Sequence, residues 1–215
     1  MAMTKRTGSI LILCVMTAAV TGLTAGPAMA RTTWTVTPGG AITATSATIM
    51  LTDTTTGTSE PCSSSTVKGS LRAGTGPGAG IGGLTSVAFT SCEIVLTGQP
   101  FTLTGSHLPW QLNAVSYHSA TGVTTATITG IHVVLNVPKT ATSPGCSADL
   151  DGTSATADNG KITVTYANKT GKLTVPKTGS HLAFYNSTCS GIHNGDHAAF
   201  STTYTVSPKQ TITGS

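Results

Sequence analysis

Short segments in which threonine alternates with larger apolar residues constrain the fold of this chain more than any other feature. The pattern is clearest at residues 161–166, and it recurs at residues 33–37, 101–104 and 203–206. Because successive side chains of a β-strand point to opposite faces, this alternation places one row of side chains in a core and the other toward water. Threonine suits the outer row because it is both β-branched and polar. The segments therefore predict half-buried strands.

Further segments have the apolar or β-branched composition of strands, and clusters of glycine, proline, asparagine and aspartate separate them. The additional strands are expected at residues 41–51, 84–89, 93–96, 110–117, 123–137, 173–175 and 181–185. The turn-forming clusters lie at residues 38–40, 74–83, 158–160 and 194–196. No segment with helical periodicity is long enough to predict a helix. Many short strands with frequent turns predict an all-β fold, either an antiparallel β-sandwich or a barrel-like sheet.

The overall composition supports a folded domain and argues against a nucleic-acid partner. Hydrophobic residues make up 38% of the chain, charged residues make up 8%, and the formal net charge is +4. Disordered chains usually combine low hydrophobicity with high net charge, which is not the pattern here. No basic patch is interleaved with aromatic residues, so binding of nucleic acid is not expected.

The first thirty residues have the three-part organisation of a secretory signal peptide. Lys5 and Arg6 form a basic start, residues 9–25 are apolar and free of charge, and Ala28 and Ala30 provide the small residues before a cleavage site. A membrane anchor is disfavoured because the apolar stretch is short for a bilayer and is interrupted by threonine and glycine. We therefore expect residues 1–30 to be removed, and residues 31–215 to form a secreted single β domain without a transmembrane segment.

The cysteine count predicts two disulfide bonds in the secreted part. Cys14 belongs to the signal peptide, which leaves Cys62, Cys92, Cys146 and Cys189. An even number of cysteines in an exported chain indicates disulfides, and the lack of a Cys-x-x-Cys motif argues against a zinc site built from them. Three pairings are possible from the sequence alone.

A weak internal duplication favours one of these pairings. Leu51 lies eleven residues before Cys62, and Leu135 lies eleven residues before Cys146. In each half, an aromatic residue and small polar residues precede the later cysteine, Cys92 or Cys189. These matches favour Cys62–Cys92 and Cys146–Cys189, within possible halves 31–120 and 121–215. The halves could be two small sandwiches or two sides of one, and we favour one domain with pseudo-twofold character.

Two segments resemble a known group of proteins. These are Cys189-Ser-Gly-Ile-His-Asn-Gly-Asp196, continuing to Thr213, and Pro109-Trp110-Gln-Leu-Asn-Ala. They resemble uncharacterised secreted, disulfide-containing β proteins of high-GC actinobacteria, which share paired cysteines and threonine-rich strands. The resemblance implies an exported β protein, and it carries over no catalytic or binding residue.

The sequence contains no convincing catalytic set. Ser65-Thr-Val-Lys68, Tyr166-Ala-Asn168 and Lys177-Thr-Gly179 mimic, in order, the motifs of penicillin-binding proteins and serine β-lactamases. That chemistry needs the serine and the lysine one helical turn apart, and no helix is predicted around Ser65. We therefore expect no catalytic residue and no enzymatic activity.

Two clusters could bind a metal ion, and turn formation explains both more simply. His193, Asp196 and His197 combine two imidazoles with a carboxylate, but they would have to converge on one point. Residues 149–152 and 158–160 offer oxygen ligands to calcium, at spacings that match no known calcium loop. We expect ordinary turns at these places, and no metal or cofactor.

These observations favour a non-enzymatic extracellular or cell-envelope protein, a binding or structural module whose partner is a cell-wall polymer or a surface protein. One alternative is a secreted enzyme with an unrecognised site, with Ser65, His193 or His197 as its candidates. Another is a carbohydrate-binding module that uses Trp34 or Trp110. That alternative requires an exposed indole ring, whereas tryptophan in a chain with few aromatic residues is commonly part of the core.

Overall fold

Fifteen β-strands and no helix make up the described part of the chain, which in the computed structural model comprises residues 32–141 and 143–215. The expected signal peptide and its cleavage site lie outside the described residues. The strands are β1 (Thr33–Thr37), β2 (Gly40–Ser46), β3 (Ile49–Asp53), β4 (Ser59–Leu71), β5 (Gly74–Pro77), β6 (Gly82–Ile94), β7 (Gln99–Ser106), β8 (Trp110–His118), β9 (Val123–Val137), β10 (Cys146–Asp151), β11 (Gly160–Ala167), β12 (Lys172–Val175), β13 (Ser180–Tyr185), β14 (His197–Ser207) and β15 (Thr211–Gly214).

The larger of two sheets closes on itself as an antiparallel barrel. Ten strands pair in the ring β2–β4–β6–β7–β9–β10–β13–β11–β12–β14, and β14 pairs back with β2. Strands β3 and β8 add further antiparallel pairings to the same sheet. The all-β antiparallel fold predicted from the alternation is confirmed, and it has the barrel rather than the sandwich architecture.

The long strands β4, β6, β9 and β14 run along the barrel, and pairs of shorter strands continue each other between them. Strands β2 and β3, for example, pair with β4 in one continuous register from Gly40↔Leu71 to Thr52↔Ser59. Strand β9 spans the range predicted for it. Strands β4, β5, β10 and β15 were missed, and residues 74–77 were wrongly assigned to a turn. The serine- and glycine-rich sequences of β4 and β5 hide the apolar alternation that identifies a strand.

The interior of the barrel is a packed apolar core. In β11, Ile162, Val164 and Tyr166 are buried, whereas Thr163 and Thr165 between them are half-buried on the outer face. The cavity that remains inside has a volume of about 80 Å³ and an almost entirely apolar lining. Cavities that hold a molecule as small as benzene are roughly twice as large, about 150 Å³. The interior therefore stabilises the fold and has no room for a ligand of ordinary size.

A second, three-stranded sheet covers one end of the barrel. Strand β1 lies between β15 and β5, at the end where β2 begins and β4 ends. The carbonyl oxygen of Ile212 accepts hydrogen bonds from Thr124 Oγ1 and Asn168 Nδ2, at 3.2 and 2.9 Å. Gln210 is 1% exposed, and its side-chain oxygen accepts a hydrogen bond from the Gly39 N–H. These contacts close this end of the barrel, so only the opposite end could be open to solvent.

Two disulfide bonds, Cys62–Cys92 and Cys146–Cys189, have the predicted pairing. The first joins register partners on β4 and β6. The second joins the start of β10 to the segment that follows β13. The described part of the chain belongs to one compact unit. None of its elements is a helix that could cross a membrane.

Candidate functional site

The end of the barrel opposite the three-stranded sheet contains the more promising of two candidate sites. A cavity of about 530 Å³ lies there between four connecting segments, residues 53–60, 94–99, 143–146 and 188–192. We call this cavity the barrel mouth. Pockets that bind small molecules commonly have volumes of about 300–1,000 Å³, so the mouth has the size of a ligand site.

The floor of the barrel mouth is apolar. Leu51, Phe101, Leu135 and Phe184 all line it, and each is at most 4% exposed. On the rim, Leu96 at the turn between β6 and β7 leaves 89% of its surface in contact with solvent. An exposed leucine beside an apolar floor extends the surface that an apolar ligand could cover.

Asp53 is the feature of the mouth that points most directly to a ligand. Its Oδ1 accepts hydrogen bonds from the backbone N–H groups of Thr55 and Thr56, at 2.8 and 3.1 Å, and so closes the turn between β3 and β4. Its Oδ2 is buried and has no hydrogen-bond partner. Asp53 as a whole is 5% exposed. Because an unpaired buried polar atom costs free energy, this oxygen would gain from accepting a donor, once a small movement of the mouth lining exposes it to a bound molecule.

The charged groups of the mouth are acidic. Glu60 also lines it, and its Oε2 accepts a hydrogen bond of 2.6 Å from the Val95 N–H on the rim. The described residues that line the mouth include no lysine, arginine or histidine. The mouth therefore combines an apolar floor with two carboxylates and no cationic side chain.

A second candidate site lies on the outer face of the barrel, around His132 of β9. Its Nδ1 lies 3.2 Å from Asp151 Oδ2 and 3.1 Å from Asp158 Oδ1, and its side chain is 7% exposed. His107, in the connection between β7 and β8, contacts the same Asp158 oxygen through its own Nδ1. Asp149 lies further away, with its Oδ1 3.9 Å from His132 Nε2.

Asp151 fixes the segment that brings Asp158 to His132. Its Oδ1 accepts hydrogen bonds from the backbone N–H groups of Gly152, Asn159 and Gly160, and its Oδ2 accepts one from Asp158. Burial raises the pKa of Asp151, but the four N–H donors outweigh it, so the pKa lies below its ordinary value. The carboxylate of Asp151 thus ties both ends of residues 152–159 to β10.

Two tyrosines of the core also have shifted pKa values. Burial raises the pKa of Tyr166 and of Tyr204. The hydrogen bond with Ser65 Oγ offsets part of that rise for Tyr204, and the hydrogen bond that the Gln210 N–H donates to the Tyr166 hydroxyl does so for Tyr166. Both phenols remain neutral structural groups within the barrel.

The histidine cluster considered in the sequence is a turn. His193 Nδ1 lies 3.3 Å from Asp196 Oδ2, which also accepts a hydrogen bond from the His193 N–H. The side chain of His197 lines a separate pocket with Lys161 and His181. Of the described residues, the group that could hold a metal ion is instead His107, His132 and Asp158, with one ligand atom of each within 4.8 Å of the others.

The structure places the other residues that the sequence singled out away from both sites. Ser65 is buried and Lys68 is exposed, because residues three apart on β4 point to opposite faces, so they form no serine–lysine pair. Trp34 and Trp110 are buried, at 3% and 5% exposure, and Trp110 Nε1 donates to the Ser106 carbonyl oxygen. Neither indole ring lines the barrel mouth.

Sequence reasoning missed Asp53, Glu60, His107 and His132. Asp53 is followed by a run of threonines, which suggests only a turn. His132 lies in the apolar run of β9, where an isolated polar residue was the only available signal. Comparison with protein-family models, with curated proteins and with solved structures gave no match.

Proposed function

We propose that this protein is a secreted, non-enzymatic binding module of the extracellular space or cell envelope, and that its ligand site is the barrel mouth. The observation that carries the proposal is the buried, unpartnered Oδ2 of Asp53 beside an apolar floor. The two disulfides support a location outside the reducing cytosol.

The chemistry of the mouth selects a class of ligand. An apolar group of the ligand would cover Phe101, Phe184 and Leu96, which removes apolar surface from water. A positively charged or hydrogen-bond-donating group would pair with Asp53 Oδ2, in an environment that Glu60 makes more negative. The ligand is therefore an amphipathic molecule with an apolar body and an ammonium-type head, and an anionic amphiphile is rejected.

Three other places that could have served as a functional site are less suited to that role than the mouth. The barrel interior is filled, apart from a cavity of about 80 Å³. A carbohydrate-binding surface would need an exposed aromatic platform, and the rings of Trp34 and Trp110 are buried. The serine and lysine of the enzyme-like motif lie on opposite faces of β4.

Calorimetric titration with three eight-carbon probes tests this proposal. We expect the oxidised protein to bind octylammonium saturably at pH 7, to bind octanol more weakly and to bind octanoate least. Asp53→Asn keeps an oxygen for Thr55 and Thr56 but removes the charge. It should weaken octylammonium binding by about tenfold or more and leave octanol binding nearly unchanged.

Glu93→Gln is the matched control. It removes one negative charge from β6, at an exposed residue outside the mouth lining, and should leave the affinity for octylammonium unchanged. Octanoate binding as tightly as octylammonium, or Asp53→Asn binding octylammonium like the wild type, would contradict the proposed site. Turnover of a substrate in a hydrolase panel, lost on a point substitution, would contradict the non-enzymatic assignment.

A further inference from the structure

The side chains of three residues from distant parts of the chain converge on the outer face of the barrel, away from the mouth. His107 comes from the β7–β8 connection, His132 from β9, and Asp158 from the segment before β11. The His107 and His132 rings have centroids 4.8 Å apart, and both Nδ1 atoms contact the same oxygen of Asp158. Two imidazoles and one carboxylate are a ligand set that proteins use for zinc.

One ligand atom of each of the three residues lies within 4.8 Å of the others, and the spacing of one pair is close to that of a tetrahedral site. His132 Nδ1 and Asp158 Oδ1 are 3.1 Å apart. Zinc ligands lie about 2.0–2.2 Å from the metal, which puts two of them roughly 3.3–3.5 Å apart at the tetrahedral angle. A metal ion between the three donors therefore needs a displacement of only a few tenths of an ångström between His132 and Asp158.

The site also has support around it and access to solvent. Asp151 holds the segment that carries Asp158 through four backbone N–H groups, and its Oδ2 also lies 3.2 Å from His132 Nδ1, so it positions both of these residues. The Nε2 atom of His132 lies 3.9 Å from Asp149 Oδ1, which is beyond hydrogen-bond distance, so Asp149 contributes only a nearby negative charge. The side chains of His107 and Asp158 are 55% and 42% exposed, which leaves a path for an ion.

We propose that His107, His132 and Asp158 bind a divalent transition-metal ion of the zinc class. The two imidazole nitrogens favour zinc, cobalt, nickel or copper over calcium, which prefers oxygen ligands. Three protein donors leave a fourth coordination position for water or an external ligand. A bound ion would link three segments that are far apart in sequence and would stabilise this face of the barrel. The sequence suggested Asp158 only as a possible calcium ligand, did not point to either histidine and led us to predict no metal.

Cobalt spectroscopy of the purified protein, stripped with a chelator and dialysed, tests this proposal. We expect one equivalent of Co²⁺ to bind with the visible absorption of a low-coordinate site, Zn²⁺ to displace it and excess Ca²⁺ to leave it in place. His107→Ala and Asp158→Asn should each weaken binding by at least about tenfold. Zn²⁺ should raise the Tm of the wild type and not that of His107→Ala.

Both substitutions are chosen to leave the fold intact. His107 and Asp158 both have a left-handed backbone, with φ of 53° and 49°. Asparagine tolerates this backbone at residue 158, and the local strain that alanine adds at residue 107 falls on a largely exposed connection. The control is His193→Ala, which removes an exposed histidine from the turn with Asp196 and should bind Co²⁺ like the wild type. Absence of Co²⁺ uptake, unchanged binding in His107→Ala and Asp158→Asn, or loss of binding in His193→Ala would overturn the proposal.

Discussion

Asp53 and Asp151 are both buried aspartates, and their surroundings give them different roles. Both oxygens of Asp151 accept backbone N–H groups, four in all, so its charge is compensated within the protein. Only one oxygen of Asp53 is compensated in this way, and the other has no partner. Since buried polar groups in folded proteins are nearly always paired, we interpret Asp151 as structural and Asp53 as a ligand-binding residue.

Asp151→Asn should destabilise the protein by about 2–3 kcal/mol. The amide can present only one acceptor oxygen, so its NH₂ group would face either the Asp158 N–H or the donors now bound to Oδ1. Asp149→Asn is a matched control, because Asp149 is partly exposed and accepts a single hydrogen bond, from Asn186 Nδ2 at 2.8 Å. Urea unfolding monitored by circular dichroism measures both free energies. An equal decrease in the free energy of unfolding of the two variants would show that the hydrogen bonds of Asp151 do not stabilise the protein more than the single one of Asp149.

The strands were largely predictable from the sequence where threonine alternates with apolar residues. Strand β11 alternates as the sequence indicated, and β9 runs from Val123 to Val137 as expected. The burial of His132 was not predictable from this alternation of side chains between the two faces of a strand. The alternation puts His132 on the outer face of β9, but Asp158, in a segment held by Asp151, and the His107 ring contact it there. Covering of this kind depends on contacts between residues that are far apart in sequence.

The two disulfides lie in different structural settings, although both close loops of some tens of residues. Cys62–Cys92 joins two register partners of the barrel wall, and neither cysteine lines the mouth. Cys146 and Cys189 both line the mouth, where their bond connects β10 to the segment of residues 188–192. The second disulfide therefore shapes the proposed ligand site, whereas the first one supports the wall.

Replacing each cysteine pair by serines should separate these effects. The loops span 30 and 43 residues, so each loss should lower the free energy of unfolding by about 2–4 kcal/mol. Only the loss of Cys146–Cys189 should also weaken octylammonium binding, because it releases one side of the mouth. Calorimetric titration at a temperature where both variants are folded makes the comparison. Equal affinity in the two variants would argue against this role of Cys146–Cys189.

In the molecule as a whole, the barrel is filled and one of its ends is covered, which is why we propose the other end as the ligand site. The sheet of β1, β5 and β15 covers the first end, and the core occupies the interior. The sequence predicted strands and disulfides because these depend on local pattern and on cysteine count. It did not predict the barrel mouth, because Asp53, Phe101 and Phe184 come together only when β14 closes the ring on β2 and β3.

NMR titration of the ¹⁵N-labelled protein with octylammonium tests directly whether the barrel mouth is the ligand site. We expect saturable chemical-shift changes confined to the segments around the mouth, with the amides of Asp53, Leu96 and Ile192 among the most affected. Octanoate at the same concentration should leave these amides unchanged, since the mouth is acidic. Saturable shifts at the end covered by β1, β5 and β15, or no saturable shift at any concentration, would contradict a ligand site at the barrel mouth.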